Sequence, residues 1–234
     1  MLEQLKEDVF HANLQLVEHR LVSLTWGNVS GVDRQRGYVV IKPSGVSYAE
    51  MTADDMVVVD LQGRNIQGNM RPSSDTPTHV ALYRAWPQIG GVAHTHSPVA
   101  TAFAQAGREI PCLGTTHADH FHGAVRVAPA LTSDEVEDDY EVNTGHGIIA
   151  CMGTVPPLEL PGILTAHHGP FTWGNCAEEA VHHAIVLEAV ARMAMDTFLL
   201  NPLAAPIPAH LAEKHFARKH GADAYYGQQG PNHD

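Results

Sequence analysis

Ile89-Gly-Gly-Val-Ala-His-Thr-His96 is the stretch from which both the fold and the chemistry of this chain can be read. Its first five residues predict a short buried strand opened by glycines. Successive side chains of a strand point to opposite faces, so residues two apart share one face. His94 and His96 would then present two imidazoles side by side at the strand's end, a spacing that suits one small divalent cation. With 17 histidines in 234 residues, a His-x-His pair also arises by chance. Two unrelated polar histidines at a loop edge are the other reading of this spacing.

At the N-terminus, Leu2, Leu5, Val9, Ala12 and Leu16 step by three and four, the apolar stripe of an opening helix. Val39-Val-Ile41 and Met56-Val-Val-Val-Asp-Leu61 predict strands, and Asp60 to Arg64 a tight turn into another. Ser73-Ser-Asp-Thr-Pro77 starts a helix running to about Trp86. Gly162 to His168 predicts a strand stopped by Gly169-Pro170. Asn175 is expected to cap a long helix from about Cys176 to Leu200. Pro202, Pro206 and Pro208 separate it from a shorter helix at about Ala209–Lys219. Short turn-bounded strands without regular βαβ spacing favour an α/β chain with a largely antiparallel or mixed sheet flanked by helices. No linker divides the chain, so residues 1–228 are expected to form one domain, with 229–234 a disordered tail.

Composition limits the partners. A formal charge of −12 argues against binding a nucleic-acid backbone and leaves small metabolites. A small phosphorylated substrate is not excluded, since backbone N–H groups, hydroxyls and one lysine can hold it. No stretch approaches the length that spans a bilayer, and Met1 to Asp8 lacks the basic start and apolar run of a secretory signal. Cys112, Cys151 and Cys176 are odd in number and far apart. A disulfide framework is not expected, and a cytoplasmic enzyme is the natural setting.

Two further features bear on the histidine pair. His168, beside Gly169-Pro170, could face a cleft and complete a three-nitrogen cradle with room for substrate oxygens. His167-His168 could equally be the polar end of a strand. Asp75 could complete the shell, or it could simply cap the helix that follows. Three turns, Thr25-Trp-Gly-Asn28, Lys42-Pro-Ser-Gly45 and Pro72-Ser-Ser74, offer hydroxyls, glycines and a lysine to an anion, although each taken singly is an ordinary turn.

Eight segments occur in order: Leu24-Thr-Trp-Gly-Asn-Val-Ser30, Val40-Ile-Lys-Pro-Ser-Gly-Val46, Met51-Thr-Ala-Asp-Asp-Met-Val-Val-Val59, Arg71-Pro-Ser-Ser-Asp-Thr-Pro-Thr-His79, His94-Thr-His96, Gly114-Thr-Thr-His-Ala-Asp119, His167-His-Gly-Pro-Phe171 and Lys219-His-Gly-Ala-Asp-Ala-Tyr-Tyr-Gly227. Together they closely resemble the class II aldolase/epimerase family, in particular its pentulose-phosphate epimerases, over about Met1 to Gln228. The resemblance implies a three-layer α/β/α fold with a central, mainly antiparallel sheet, assembled as a homotetramer with active sites at subunit interfaces. It also implies zinc, with manganese or cobalt as alternatives, one per subunit, on His94, His96 and His168 with Asp75 at the metal-associated carboxylate position.

Gly27, Asn28, Lys42, Ser44, Gly45, Ser73 and Ser74 match or adjoin the family's phosphosugar contacts. Asp119 and Tyr226 match its acid/base pair, Tyr226 reaching a neighbouring subunit's site. The implied reaction inverts C4 of L-ribulose 5-phosphate by opening and re-forming the C3–C4 bond, in arabinose or ascorbate-type catabolism. The alternative is an aldolase on the same scaffold that releases the aldehyde. Family aldolases carry glutamate where this chain has Asp75, which favours the epimerase. His120-Phe-His122 and a shorter Glu141–Pro161 region depart from the family pattern at the site's edge.

Overall fold

Three consecutive valines, Val57-Val-Val59, show how the sheet is built. Val57 and Val59 join one apolar core and Val58 joins another on the opposite face. Val39 and Val40 divide the same way, as do Val92 and Ala93. A sheet covered on both faces needs apolar side chains of both parities, which is why its strands read as unbroken hydrophobic runs. Each such valine, fully buried, contributes roughly 1.5–3 kcal/mol over an exposed one.

The structure is a computed structural model that describes residues 2–221 and 224–225. Its strands are β1 (Asn28–Asp33), β2 (Tyr38–Ile41), β3 (Val57–Asp60), β4 (Asn65–Gln67), β5 (Gly91–His94), β6 (Val127–Ala128), β7 (Gly162–Thr165) and β8 (Gly169–Gly174). Among the described residues they form one sheet in the order β4-β3-β2-β1-β5-β8-β7-β6, antiparallel throughout except for the β6–β7 pair. Helix α1 (Leu2–Glu18) lays Val9, Ala12 and Leu16 on one face, as its spacing predicts. On the other face lie α2 (Thr76–Ala85), α3 (Pro98–Gln105) and α5 (Ser133–Met152), with short α4 (Thr115–Ala118) nearby. The long α6 (Ala177–Leu200) contributes to both cores, and α7 (Ala209–His220) packs on α4. The three-layer α/β/α arrangement and mainly antiparallel sheet agree with the sequence reading. Cys112, Cys151 and Cys176 are free thiols. No helix among the described residues is long and apolar enough to cross a membrane.

Three local expectations are corrected. Gly162 to His168 is not one strand: β7 ends at Thr165, and residues 166–168 turn back into β8. Gly169-Pro170 therefore opens a strand instead of stopping one. Gly169 is small because a Cβ there would come within 2.6 Å of the Thr95 carbonyl oxygen. Asn175 does not cap α6. Cys176 holds that position without a side-chain bond, while Glu179 reaches back to accept from the Asn175 N–H and Nδ2. Helix α5 has no counterpart among the elements expected from the sequence, because its polar, acidic start hides any apolar stripe. Its N-terminus is nevertheless well specified: Thr132 and Glu135 satisfy each other's backbone N–H groups as a capping box.

Candidate functional site

The sheet makes neighbours of two distant parts of the chain. His94 ends β5 and sits opposite Phe171 of β8, on whose ring it stacks with 4.1 Å between centroids. His96 lies in the loop just past the strand, yet its Nε2 comes within 3.1 Å of His94 Nε2. His168 occupies the β7–β8 turn, its ring centroid 4.6 Å from that of His94 and 5.0 Å from that of His96. His167, beside it, takes the left-handed conformation (φ 61°) that reverses the chain. One nitrogen from each of the three imidazoles lies within 4.8 Å of the other two.

The protonation pattern suits a cation. The carbonyl oxygen of Pro170 lies 2.9 Å from His94 Nδ1 and can only accept, so Nδ1 carries the proton and Nε2 presents a lone pair. Burial, then the neighbouring His94 ring, holds His96 down at about 4 and His168 at about 3, with Asp75 opposing both effects. The 3.1 Å contact lets His96 Nε2–H donate to His94 Nε2, and giving up that proton would free both nitrogens for a shared electron-pair acceptor. Three nitrogen donors with one side open to a cleft fit zinc or a similar divalent ion.

Asp75 stands beside this triad: among the described residues, the converging donors are the three rings. The residue occupies the cap position of α2, but its side chain caps nothing. Its Oδ2 instead accepts from Asn28 Nδ2 at 2.6 Å. Burial pushes the Asp75 carboxyl up, but His94, His79 and the Asn28 amide outweigh it, leaving the group below its ordinary value.

The three anion-friendly turns converge on the same place. Ser44 N–H donates to the Arg71 carbonyl and Ser73 N–H to the Lys42 carbonyl, both at 2.9 Å, which zips two of the turns together. Asn28 Nδ2 ties in the third through Ser73 Oγ at 3.0 Å. Gly27 has φ +76°, and a Cβ there would come within 2.9 Å of the His94 carbonyl oxygen, so glycine brings this turn up against the histidine strand. Lys42 is buried. Its Nζ donates to the Val46 carbonyl at 3.0 Å, and burial lowers its pKa. Gly27, Asn28, Lys42, Ser44, Gly45, Ser73, Ser74, Asp75, His96 and His168 all line one cleft of about 590 Å³.

Asp119 is not among the residues lining that cleft. It follows α4, where its carboxylate accepts from Arg218 Nε at 2.8 Å, Arg218 Nη2 at 2.5 Å and His215 Nδ1 at 3.0 Å. Burial raises its pKa, but Arg218 and His215 prevail and keep the carboxyl below the usual range. Tyr226 lies outside the described residues. Tyr140 and Glu141, which sequence reading missed, also line the cleft. The acidic run before them looks like any solvated helix face, and only the packing of α5 on α2 turns them toward the site.

A family model described as "Class II Aldolase and Adducin N-terminal domain" matches residues 7–195. The chain belongs to the class II aldolase family. Among the relatives of this class II aldolase-family chain is the L-ribulose-5-phosphate 4-epimerase UlaF of Salmonella paratyphi B. It is 56% identical over 228 residues, covering 97% of this chain and 100% of the relative. The protein of the same name from Salmonella typhi matches with the same identity and coverage. Among solved structures, an L-fuculose 1-phosphate aldolase shares the fold with a TM-score of 0.78 at 24% identity, covering 92% of this chain and 95% of that one. YgbL of Klebsiella pneumoniae, described as a putative aldolase/epimerase/decarboxylase, does so with a TM-score of 0.71 at 24% identity, covering 90% and 97%.

Proposed function

We infer that this chain is an L-ribulose-5-phosphate 4-epimerase, converting L-ribulose 5-phosphate to D-xylulose 5-phosphate by retro-aldol cleavage and re-addition. The observation that carries the reading is 56% identity, end to end, with relatives bearing that activity in their names. The convergence of three imidazoles with the anion-friendly turns in one site supports it.

His94, His96 and His168 would hold a divalent ion, zinc being the best match to nitrogen donors, with Asp75 as the carboxylate beside it. Such an ion would supply Lewis acidity to the sugar's C2 and C3 oxygens. Ser44, Gly45, Ser73, Ser74, Gly27 and Asn28 hold the phosphate through hydroxyls and N–H groups, and Lys42 adds positive charge. A base takes the proton of the C4 hydroxyl, and the C3–C4 bonding pair passes to the three-carbon fragment. The two-carbon aldehyde stays tethered by its phosphate, turns its other face, and accepts the pair back to give the opposite C4 configuration. Two proton-transfer groups on opposite sides are required, and Asp119 and Tyr226 are proposed for them. Tyr226 is proposed to come from a neighbouring subunit of a homotetramer whose sites lie at its interfaces. A cytoplasmic place in pentose catabolism, fed by arabinose or ascorbate-type sugars, accords with the substrate.

A coupled assay for D-xylulose 5-phosphate tests the reading. Activity should vanish with chelator and return with zinc. Inactivity of metal-loaded protein on L-ribulose 5-phosphate would defeat it, and accumulation of free glycolaldehyde phosphate would assign an aldolase instead.

A further inference from the structure

Helix α5 is broken where it meets the cleft. Asp139 has φ −154° and ψ 89°, far from helical, and its Oδ1 accepts from the N–H of Val142 at 3.2 Å. Asp139 thus ends one helical segment and caps the next, whose first residues are Tyr140 and Glu141. This second segment is pinned to α2, the helix that follows Asp75. Thr78 Oγ1 donates to the Glu141 carbonyl at 2.6 Å; within α5 itself, Thr144 Oγ1 donates to the Tyr140 carbonyl at 2.8 Å. At Gly145 the two helices come so close that a Cβ would lie 2.8 Å from the Ala81 methyl. The phenol of Tyr140 is therefore carried on a rigid mount, not on a loose loop.

That phenol ends at the triad. Tyr140 Oη lies 3.2 Å from His168 Nδ1, and the two rings stand 6.0 Å apart. The contact leaves Nε2 as the free nitrogen of His168. When Nε2 gives its lone pair to a cation, Nδ1 must hold the proton and donate it to Tyr140 Oη. His94 is fixed in the same sense by the Pro170 carbonyl. His168 sits in a turn with no strand to hold it, so its orientation depends on this partner more than that of His94 does. Second partners of this kind set ring tautomer and direction, and their loss typically weakens metal binding about 10–100-fold.

We propose that Tyr140 is a positioning residue of the triad, holding His168 in the tautomer and direction that aim Nε2 at the ion, with Gly145 setting the helix approach that places it. The inference rests on the metal-centre reading above. It is tested by titrating metal-free protein with cobalt(II), following the visible ligand-field bands, and by measuring zinc affinity against a chromophoric chelator. Tyr140→Phe keeps the ring and loses only the oxygen. It should bind zinc about tenfold more weakly and show an altered cobalt spectrum, with unchanged circular dichroism. Gly145→Ala keeps the phenol but moves its carrier, and should weaken binding in the same direction. Parental affinity and spectrum in Tyr140→Phe would overturn the proposal, whatever Gly145→Ala does. The parent and His94→Gln separate this failure from that of the centre itself. If the parent shows no saturable cobalt signal, or His94→Gln retains it, both the centre and the role of Tyr140 fall.

Discussion

Replacing Gly91 by alanine should unseat the strand that carries His94. Gly91 opens β5 at the centre of the sheet, paired on one side with Gly31 of β1 and on the other with Gly174 of β8. The backbone entering α6 passes directly over it: an added Cβ would lie 2.3 Å from the Cys176 carbonyl carbon and oxygen and 2.4 Å from the Ala177 nitrogen. Real Cβ atoms essentially never come nearer than 3.0 Å, so at least 0.7 Å of movement is required. The atoms in the way are backbone, and no rotamer change relieves them. Gly90 is equally hemmed in by the Asn175 carbonyl oxygen, at 1.9 Å from its ideal Cβ, so the strain cannot be passed one residue back.

Overpacking of a well-filled core costs about 1–3 kcal/mol and sometimes more. With backbone of Cys176 and Ala177 in the way, the upper end, about 3 kcal/mol, is expected. For a chain of this size that corresponds to roughly 6–12 °C in Tm. Gly147→Ala is the matched control. It lies within α5, where an added Cβ meets nothing nearer than the Leu131 methyl at 3.9 Å. There alanine should stabilise by about 0.5–1 kcal/mol through helix propensity. Thermal melts of metal-free parent, Gly91→Ala and Gly147→Ala by circular dichroism decide the matter. A Gly91→Ala melt coinciding with that of the parent would refute the account of why two glycines open this strand.

Three further outcomes are expected. Asn28→Ala removes the amide that donates to Asp75 Oδ2 and Ser73 Oγ. Loss of a hydrogen bond to a charged group should cost about 1.5–3 kcal/mol at neutral pH, and a urea midpoint unchanged at constant m-value would contradict it. Trp173→Phe takes away the Nε1–H donated to the Pro157 carbonyl at 2.7 Å and opens space beside Trp86, for about 2–4 kcal/mol by the same measurement. His122 is held above its ordinary value by the hydrogen bond to Glu213, against burial, with Glu159 assisting. A raised folded pKa stabilises fully below the ordinary value of 6.5 and is lost as pH rises through the folded one. The Tm gap between parent and His122→Gln should therefore be present at pH 6 and close by pH 9. It should stay within a few degrees because the pair is exposed, and a gap that widens with pH would contradict the ion-pair account.

What the chain's linear order determined is what acts over a few residues. The apolar stripe at Leu2, Leu5, Val9, Ala12 and Leu16 needs only helical spacing to define a buried face, and the valine runs need only the alternation of a strand. The turns holding Asn28, Ser44 and Ser73 were readable because glycine, proline and hydroxyl residues act on their own backbone. The candidate imidazoles were visible too, and the family resemblance implied that His94, His96 and His168 meet, but their spacing alone did not show it. Their meeting depends on β5 pairing with β8 and on a reversal at residues 166–168, where His167 adopts a left-handed conformation that spacing does not reveal. Tyr140 was hidden for the same reason, since a tyrosine in an acidic helix acquires meaning only when Gly145 lets α5 close on α2. Asp119 shows the reverse case: its place after Thr115 was readable, whereas its capture by Arg218 and His215 depends on α7 packing back over α4. Contacts between residues distant in sequence cost chain entropy that only many cooperating contacts recover. Such meetings belong to the folded sheet and its two cores, and no single segment encodes them.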